Sequence, residues 1–390
     1  MKSKKKLELY IHIPFCARKC EYCDFLSFVT PAAAHRAYAD KLIEEIKAER
    51  LGVREYEISS IFIGGGTPSV IPSQCIFQIM EAVWENYDVR KDVEITMEAN
   101  PGTLTQAKLL DYREAGINRI SMGLQSGDDW ELGLLGRIHT YDEFLKSYQR
   151  VRLAGFDNVN VDLMSALPGQ TVESWEKTLK KVLMLKPEHI SAYSLIIEEG
   201  TPFYEIYGTG EEAYPPLPDE DTERDMYYLT QEVLAKYGYK RYEISNYAKP
   251  GKECIHNIGY WTGVDYLGLG LGSSSYVSGY RFHKERNLKA YLDISTKKGY
   301  PGNLYQDITF LSTREKMEEF MFLGLRMMKG VSGSEFAARF GQNMWNVYGK
   351  QIEKLEKEGL LAVREPYIWL TDRGIDVSNY ALSEFILDGR

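Results

Sequence analysis

Residues 7–23 read LELYIHIPFCARKCEYC, and the way this stretch divides places the rest of the chain. In its first half Leu7, Leu9, Ile11 and Ile13 alternate with Glu8, Tyr10 and His12, so Leu7 to His12 reads as a β-strand with one apolar face. Its second half carries three of the chain's five cysteines, Cys16, Cys20 and Cys23. A strand therefore delivers the chain directly into a cysteine loop. Lys2 and Lys4 to Lys6 lead into a strand pattern and not into the apolar core of a secretory leader. An odd number of cysteines, clustered in such a chain, points to metal or redox chemistry and away from a disulfide framework.

Outward from the loop the same alternation recurs. Thr30-Pro31 is an N-cap with proline at the first helical position, and Tyr38, Leu42 and Ile46 repeat as a helix face. Ser59 to Ile63 is a second strand running into Gly64-Gly65-Gly66-Thr67-Pro68, followed by a helix with Ile76, Ile79, Met80, Val83 and Trp84 on one side. Val93, Ile95 and Met97 mark a third strand ending at Glu98, and Leu104 to Ala115 is a helix closed by Gly116. Arg119 to Met122 precedes Gly123-Leu124-Gln125-Ser126 and a helical region containing Phe144, Leu145, Tyr148 and Val151. Asn158 to Met164, a helix from Thr171 to Leu185, and His189 to Leu195 complete the series.

Six consecutive strand-then-helix units predict an α/β fold with a parallel sheet, because parallel strands need crossover connections. We read them as a partial (β/α)6 TIM-like barrel. Ligands of such sheets gather at the C-terminal strand ends, and the cysteines, the glycine turn, Glu98, Gln125 and Asp162 all lie there. Residues 1–200 form this unit. Residues 201–300 read as a Gly- and Tyr-rich extension that completes the sheet, and residues 301–390 as a helical, winged-helix-like domain. The pattern breaks at Gly200-Thr201-Pro202 and again at the Gly/Pro-rich segment Gly208 to Pro218. A DNA-binding winged helix needs a basic recognition helix, whereas Lys350, Lys354 and Lys357 are matched by Glu353, Glu356 and Glu358.

The 390 residues carry 47 Lys+Arg against 56 Asp+Glu, a net charge of -9, which disfavours capture of a nucleic-acid backbone. No apolar run approaches the roughly 20 residues of a membrane span. The expected location is the cytoplasm.

Cys16-x3-Cys20-x2-Cys23 offers three thiolates on one short loop, enough to hold three irons of a [4Fe-4S] cluster and leave the fourth open. A closed zinc site would need a fourth ligand, for which only His12 is near. A cluster of reduced structural thiols is the remaining reading.

The segment Tyr10-x-His12-Ile13-Pro14-Phe15-Cys16-x3-Cys20-x2-Cys23, followed by a glycine turn after the second strand, resembles the signature of the radical SAM superfamily. Within it, the chain is similar to the oxygen-independent coproporphyrinogen III oxidase group and, more closely, to the HemW haem chaperones. The likeness extends to Gln125-Ser126, Asp162-Leu163, Leu167 to Thr171, Tyr242 to Asn246, and His256-Asn257-x-x-Tyr260-Trp261. It implies an S-adenosyl-L-methionine (SAM) site in which Gly65, Gly66 and Thr67 reach the amine, Arg137 takes the carboxylate, and Glu98, Gln125 and Asp162 address the amine, ribose and neighbouring polar atoms. Tyr10 would pack near the sulfonium and Tyr22 against the adenine. Cys16, Cys20 and Cys23 would hold the cluster. His256, Asn257, Tyr260 and Trp261 would bind haem.

Two features separate the branches. The oxidase carries a further cysteine two positions after the third ligand, where this chain has Phe25, and an additional segment before its cysteine strand. Both departures favour a haem carrier over an enzyme whose SAM-derived 5'-deoxyadenosyl radical starts oxidative decarboxylation of porphyrinogen propionates. The resemblance further implies haem or a porphyrin as cargo, a haem-acceptor protein, a small-protein electron donor, and peripheral membrane association through the acceptor. Cys254 is a conceivable further thiolate ligand, and Cys75 reads as an ordinary buried thiol.

Overall fold

A computed structural model describes residues 4–209, 213–296 and 302–387; Lys2, part of the Gly208–Pro218 break and Pro301 lie outside the described residues. The first half runs β1 (Lys5–Ile13), α1 (Ala32–Glu49), β2 (Tyr56–Gly65), α2 (Ser73–Asn86), β3 (Val89–Ala99), α3 (Gln106–Glu114), β4 (Arg119–Gln125), α4 (Asp129–Leu134), α5 (Tyr141–Leu153), β5 (Val159–Ser165), α6 (Val172–Leu183) and β6 (His189–Ser194). Each strand pairs in parallel with the next, with Leu9 opposite Ile61, Ile61 opposite Ile95, Met97 opposite Ile120, Ile120 opposite Val159 and Val161 opposite Ile190. These aliphatic residues and the inner faces of α1 and α2 form one buried core. The alternate positions of the same strands, among them Glu8, Ser60, Glu94, Arg119, Asn160 and His189, are polar and buried. Alternation puts them on the other face, where they line the lumen.

The chain continues through α7 (Pro202–Tyr207), α8 (Glu220–Lys236), β7 (Lys240–Arg241), β8 (Asn246–Ala248), α9 (Ile255–Thr262), β9 (Asp265–Leu269), β10 (Ser274–Val277), β11 (Tyr280–Lys284), α10 (Leu288–Asp293) and β12 (Tyr305–Phe310). The sheet order is β12-β11-β10-β9-β1-β2-β3-β4-β5-β6-β8-β7. β9 joins the free edge of β1 in parallel, Leu9 opposite Leu267, while β8 joins β6 antiparallel. Both edges of the six-unit sheet are thus covered, which moves the free edges out to β12 and β7.

The remainder comprises α11 (Thr313–Gly324), β13 (Val331–Ser332), α12 (Gly333–Phe340), α13 (Met344–Lys357), β14 (Leu361–Arg364), β15 (Tyr367–Leu370), α14 (Asp372–Asp376) and α15 (Ser378–Ser383). Two helices followed by a ribbon in the order β13-β15-β14 make the winged-helix shape, around a core of its own that includes Met321, Phe336, Tyr348 and Phe385. On α13, Lys354 is engaged by Glu384 at 2.8 Å and Lys357 by Glu353 at 3.9 Å.

Local chemistry starts and stops the helices. Thr140 with Glu143, Thr171 with Ser174, and Ser312 with Glu315 form reciprocal caps that satisfy otherwise orphaned N–H groups. The expected Thr30 cap is corrected: Pro31 itself occupies the N-cap of α1 in an extended conformation, and the Thr30 hydroxyl has no partner. Among the described residues no helix is long and apolar enough to cross a membrane.

Candidate functional site

The C-terminal ends of β1 and β2 are laced together. Gly66 N–H donates to Ile13 O at 2.9 Å, Thr67 N–H to Phe15 O at 2.7 Å, and Cys16 N–H to Phe28 O at 2.9 Å. A Cβ on Gly66 would lie 2.7 Å from Phe15 O, and one on Gly65, which sits at φ +112°, would lie 2.4 Å from the His12 ring. The bareness that the sequence reserves for a ligand is used first by the chain itself, to let the glycine turn dock on the root of the cysteine loop.

Above this joint the SAM candidates meet. Thr67 Oγ1 lies 3.5 Å from Cys16 Sγ and accepts from Asn100 Nδ2 at 3.1 Å. Asn100 Oδ1 in turn accepts from the Arg137 guanidinium at 3.0 Å, and the same guanidinium reaches Gly123 O at 2.5 Å and Cys20 Sγ at 3.6 Å. Arg137 Nε is buried without a partner. Tyr22 packs against Leu135, Leu167 and Phe203, and burial raises its hydroxyl pKa despite the opposing pull of Arg137. Asn100 had no place in the sequence reading. Its only signal was its position in Glu98-Ala99-Asn100-Pro101, directly after a strand.

Glu98 accepts from Gly65 N–H at 3.0 Å. Burial, with the nearby Asp162 adding to it, pushes its carboxyl up to about 8. Asp162 accepts from Ser121 Oγ at 3.0 Å and Asn160 Nδ2 at 2.7 Å, and burial raises its pKa as well. Gln125 ends β4 at φ 72°, an unusual conformation for a residue other than glycine, beside a register shift in the β4–β5 pairing; such strained positions cluster at functional sites. Tyr10 holds His12 Nδ1 at 3.0 Å, and Leu26 O holds His12 Nε2 at 2.9 Å. Cys16, Cys20, Cys23, Thr67, Glu98, Arg137, Tyr10 and Tyr22 are therefore assembled around one mouth of the lumen. Ser126 and the Leu167–Thr171 motif have a structural use: Glu131 accepts from Ser126, Gln170 and Ser174 at 2.5, 2.9 and 2.9 Å and ties the loops after β4 and β5 together.

The residues at this mouth fit an iron–sulfur cluster carrying SAM. The three cysteines are unpaired and half-buried. Burial, with the neighbouring Cys20 and Cys16 sulfurs adding to it, pushes the Cys23 thiol up to about 11. Among the described residues no three His, Cys, Asp or Glu side chains converge on one point, as a tetrahedral zinc site requires. With both His12 nitrogens engaged, the zinc alternative loses its fourth ligand. A four-iron cube spreads its thiolates over separate irons, and the orphaned Arg137 Nε–H is a ready donor for a carboxylate.

The His256-Asn257-x-x-Tyr260-Trp261 motif lies elsewhere. It forms α9, which enters the lumen about midway along the strands. Glu94 Oε1 accepts from Ile255 N–H at 2.9 Å, and Cys254 Sγ lies 3.5 Å from the same oxygen. Cys254 is fully buried, and burial pushes its thiol up to about 12. His256 is 1% exposed, with Nδ1 at 2.9 Å from Ser60 Oγ and Nε2 at 3.1 Å from Tyr260 OH. Its ring stacks on Phe62, and burial with the nearby Arg119 pulls its pKa down to about 3. Trp261 lies under the Arg326 guanidinium at 4.5 Å and among Tyr242 and Met327, with its Nε1 buried without a partner. Asn257 is half-buried on the same helix. In this conformation the imidazole thus has no free nitrogen, and the motif does not join the mouth.

Known proteins resemble this chain along its whole length. The radical SAM superfamily profile matches residues 10–182, and a profile described as the HemN C-terminal domain matches residues 311–377. The chain is 37% identical to a protein of Lactococcus lactis named heme chaperone HemW, over 99% of this chain and 98% of that one. It is 34% identical to the heme chaperone HemW of Escherichia coli, over 98% of both chains. A mitochondrial radical S-adenosyl methionine domain-containing protein 1 of Mus musculus is 33% identical over 90% of this chain and 81% of its own. Among solved structures, the coproporphyrinogen III oxidase HemN of Escherichia coli, titled a radical SAM enzyme, superposes with a TM-score of 0.84 at 25% identity, covering 98% of this chain and 90% of that one. With end-to-end identity of this extent and the cysteine loop at the barrel mouth, the chain belongs to the HemW family of the radical SAM superfamily.

Proposed function

We propose that this protein is a haem chaperone that binds a [4Fe-4S] cluster, SAM and haem and delivers the haem to an acceptor protein. The observation that carries the reading is the end-to-end likeness to proteins named heme chaperone HemW, 37% identical over 99% of this chain. Cys16, Cys20 and Cys23 hold the cluster. Arg137 takes the SAM carboxylate, Glu98 the amine, with Gly65, Gly66 and Thr67 beside it, and Gln125 and Asp162 the ribose side. Tyr10 and Tyr22 border the sulfonium and adenine. Bound SAM would bring an ammonium group next to Glu98 and favour its ionised form. His256, Asn257, Tyr260 and Trp261 remain the haem candidates. Because both His256 nitrogens are engaged, ligation by this residue requires α9 to withdraw from the lumen. Residues 1–200, 201–300 and 301–390 serve as cofactor barrel, haem-motif extension and cover. A small-protein electron donor, a cytoplasmic location and membrane association through the acceptor belong to the same proposal.

A second reading, oxidative decarboxylation of coproporphyrinogen, is favoured by the structural likeness to HemN. Against it stands Phe25, 63% exposed where that activity calls for a further cysteine. Titration of the reconstituted protein with haem, run beside a coproporphyrinogen decarboxylation assay, separates the two. Binding without turnover is expected, and turnover without binding rejects the chaperone.

A further inference from the structure

The opposite end of the barrel carries a groove of about 920 Å³ between the first residues of β1 and β2 and the helices α11 and α12. Its cations come from separate elements: Lys5 and Lys6 from β1, Lys316 from α11 and Arg339 from α12. In a chain of net charge -9 this is a local reversal of sign. Among the described residues none of the four takes part in an ion pair. Asp265, the carboxylate lining the groove, is already engaged by Tyr56 OH at 2.6 Å and Ser278 N–H at 2.9 Å. Arg339 also caps the end of α9, donating to Thr262 O at 3.2 Å and Gly263 O at 3.0 Å.

Aromatic rings stand among the charges, beside Asp265, Ser278 and Thr313. Tyr56, Tyr276 and Phe340 face the groove. A smaller recess that shares Val264, Tyr276, Lys316 and Arg339 with it continues to Tyr260 and Phe320. The carboxylate in that recess, Glu319, is neutralised by Arg281 at 2.8 Å. Aromatic rings beside cations from separate elements suit a flat ligand that carries anionic groups along one edge. The volume lies within the roughly 300–1,000 Å³ of ligand sites.

We propose that this groove binds the carboxylates of a planar dicarboxylate macrocycle, with Lys5 and Lys6 pairing one and Lys316 and Arg339 the other. That ligand identity rests on the chaperone reading above; the placement is new. The groove lies at the far end of β1 from the cysteines, so its occupant is held and not transformed. Its inner recess ends on Tyr260, the residue whose hydroxyl meets His256.

The test uses the full-length, cluster-loaded protein and two metal-free probes, protoporphyrin IX and its dimethyl ester, which remove iron ligation from the readout. The wild type is expected to bind the diacid more tightly than the ester. Lys6→Glu/Lys316→Glu should weaken the diacid by on the order of tenfold or more, with unchanged circular dichroism and cluster content. Lys6→Arg/Lys316→Arg should bind as the wild type, and the diacid's affinity should fall with salt. Diacid binding that survives the charge reversal, or equal affinity for diacid and ester, overturns the groove while leaving the chaperone reading in place. Failure of the wild type to bind either haem or protoporphyrin overturns both.

Discussion

The mouth and the middle of the lumen are built from the same strands and the same alternation of polar side chains, yet they reach opposite states. At the C-terminal mouth, polar atoms are held in place but left with spare valence. Arg137 has an orphaned Nε, and the Glu98 carboxyl meets one backbone N–H. Lower down, α9 consumes what the strands offer: both nitrogens of His256 are engaged, His189 is held by Asn160 at 2.6 Å and Tyr242 at 2.9 Å, and Glu94 caps the helix. The exceptions are Arg119 Nε, Trp261 Nε1 and Glu8 Oε2, which have no hydrogen bond; Glu8 Oε2 lies 3.7 Å from His256. Burial alone does not mark a functional site; spare hydrogen-bonding capacity around buried polar groups does.

The sharpest break between the two regions comes from the cysteines. Changing Cys16, Cys20 and Cys23 together to Ala should abolish iron content and visible absorption after anaerobic reconstitution while leaving α9 and the far-ultraviolet circular dichroism intact. Retained iron would erase the distinction. Next are two glycines. A Cβ at position 66 meets the Phe15 and Ile13 backbone at 2.7 to 3.0 Å, which has no room to yield. Gly66→Ala should therefore destabilise by about 2 to 4 kcal/mol in urea unfolding and impair cluster retention. At Gly259 the Cβ would lie 2.0 to 2.3 Å from the Glu8 carboxyl. Gly259→Ala should unseat α9, seen as faster proteolysis within 250–265, and spare the cluster. Identical phenotypes for the two would mean that the two regions are coupled.

Arg137→Lys should weaken SAM by about tenfold in calorimetry, because an ammonium cannot reproduce the planar fork, with no effect on groove ligands. The smallest effect is in pH dependence. Burial pushes Glu8 up to about 9 from an ordinary 4.5. The folded protein therefore keeps a proton that the unfolded chain loses, and stability falls as pH rises through that window. His256, pulled down to about 3 from 6.5, contributes stability above pH 6.5 that is lost as pH falls toward 3. Glu8→Gln should flatten the alkaline side alone and raise Tm at pH 8 by a few degrees.

Periodicity made the six strand–helix units legible, since each strand's aliphatic face and each helix face is a local pattern. The cysteine mouth was legible for the same reason, because its residues sit at strand ends that the topology must gather. The partner of β1 on its other edge was not. β9 is separated from β1 by some 250 residues of chain and is buried in a Gly- and Tyr-rich stretch with no strong alternation. Nor was the seat of α9 legible: Glu8, Ser60 and Glu94 alternate with aliphatics whether they face water or a plug, and the motif reads alike for an exposed ligand site and a saturated core histidine. Tyr239 to Ile244 reads as a strand in sequence, yet only Lys240–Arg241 forms one, because Tyr242 and Glu243 meet His189 and Asn246 instead.

The central claim is that the cluster sits at the cysteine mouth and haem in the groove at the opposite end of the barrel. Pulsed electron paramagnetic resonance on the protein loaded with both would measure the distance between the reduced cluster and the haem iron. The account predicts about 25 Å or more, the length of β1 at roughly 3.3 Å per residue. A separation of about 10 Å or less, with haem stacked over the cysteine mouth, would contradict it.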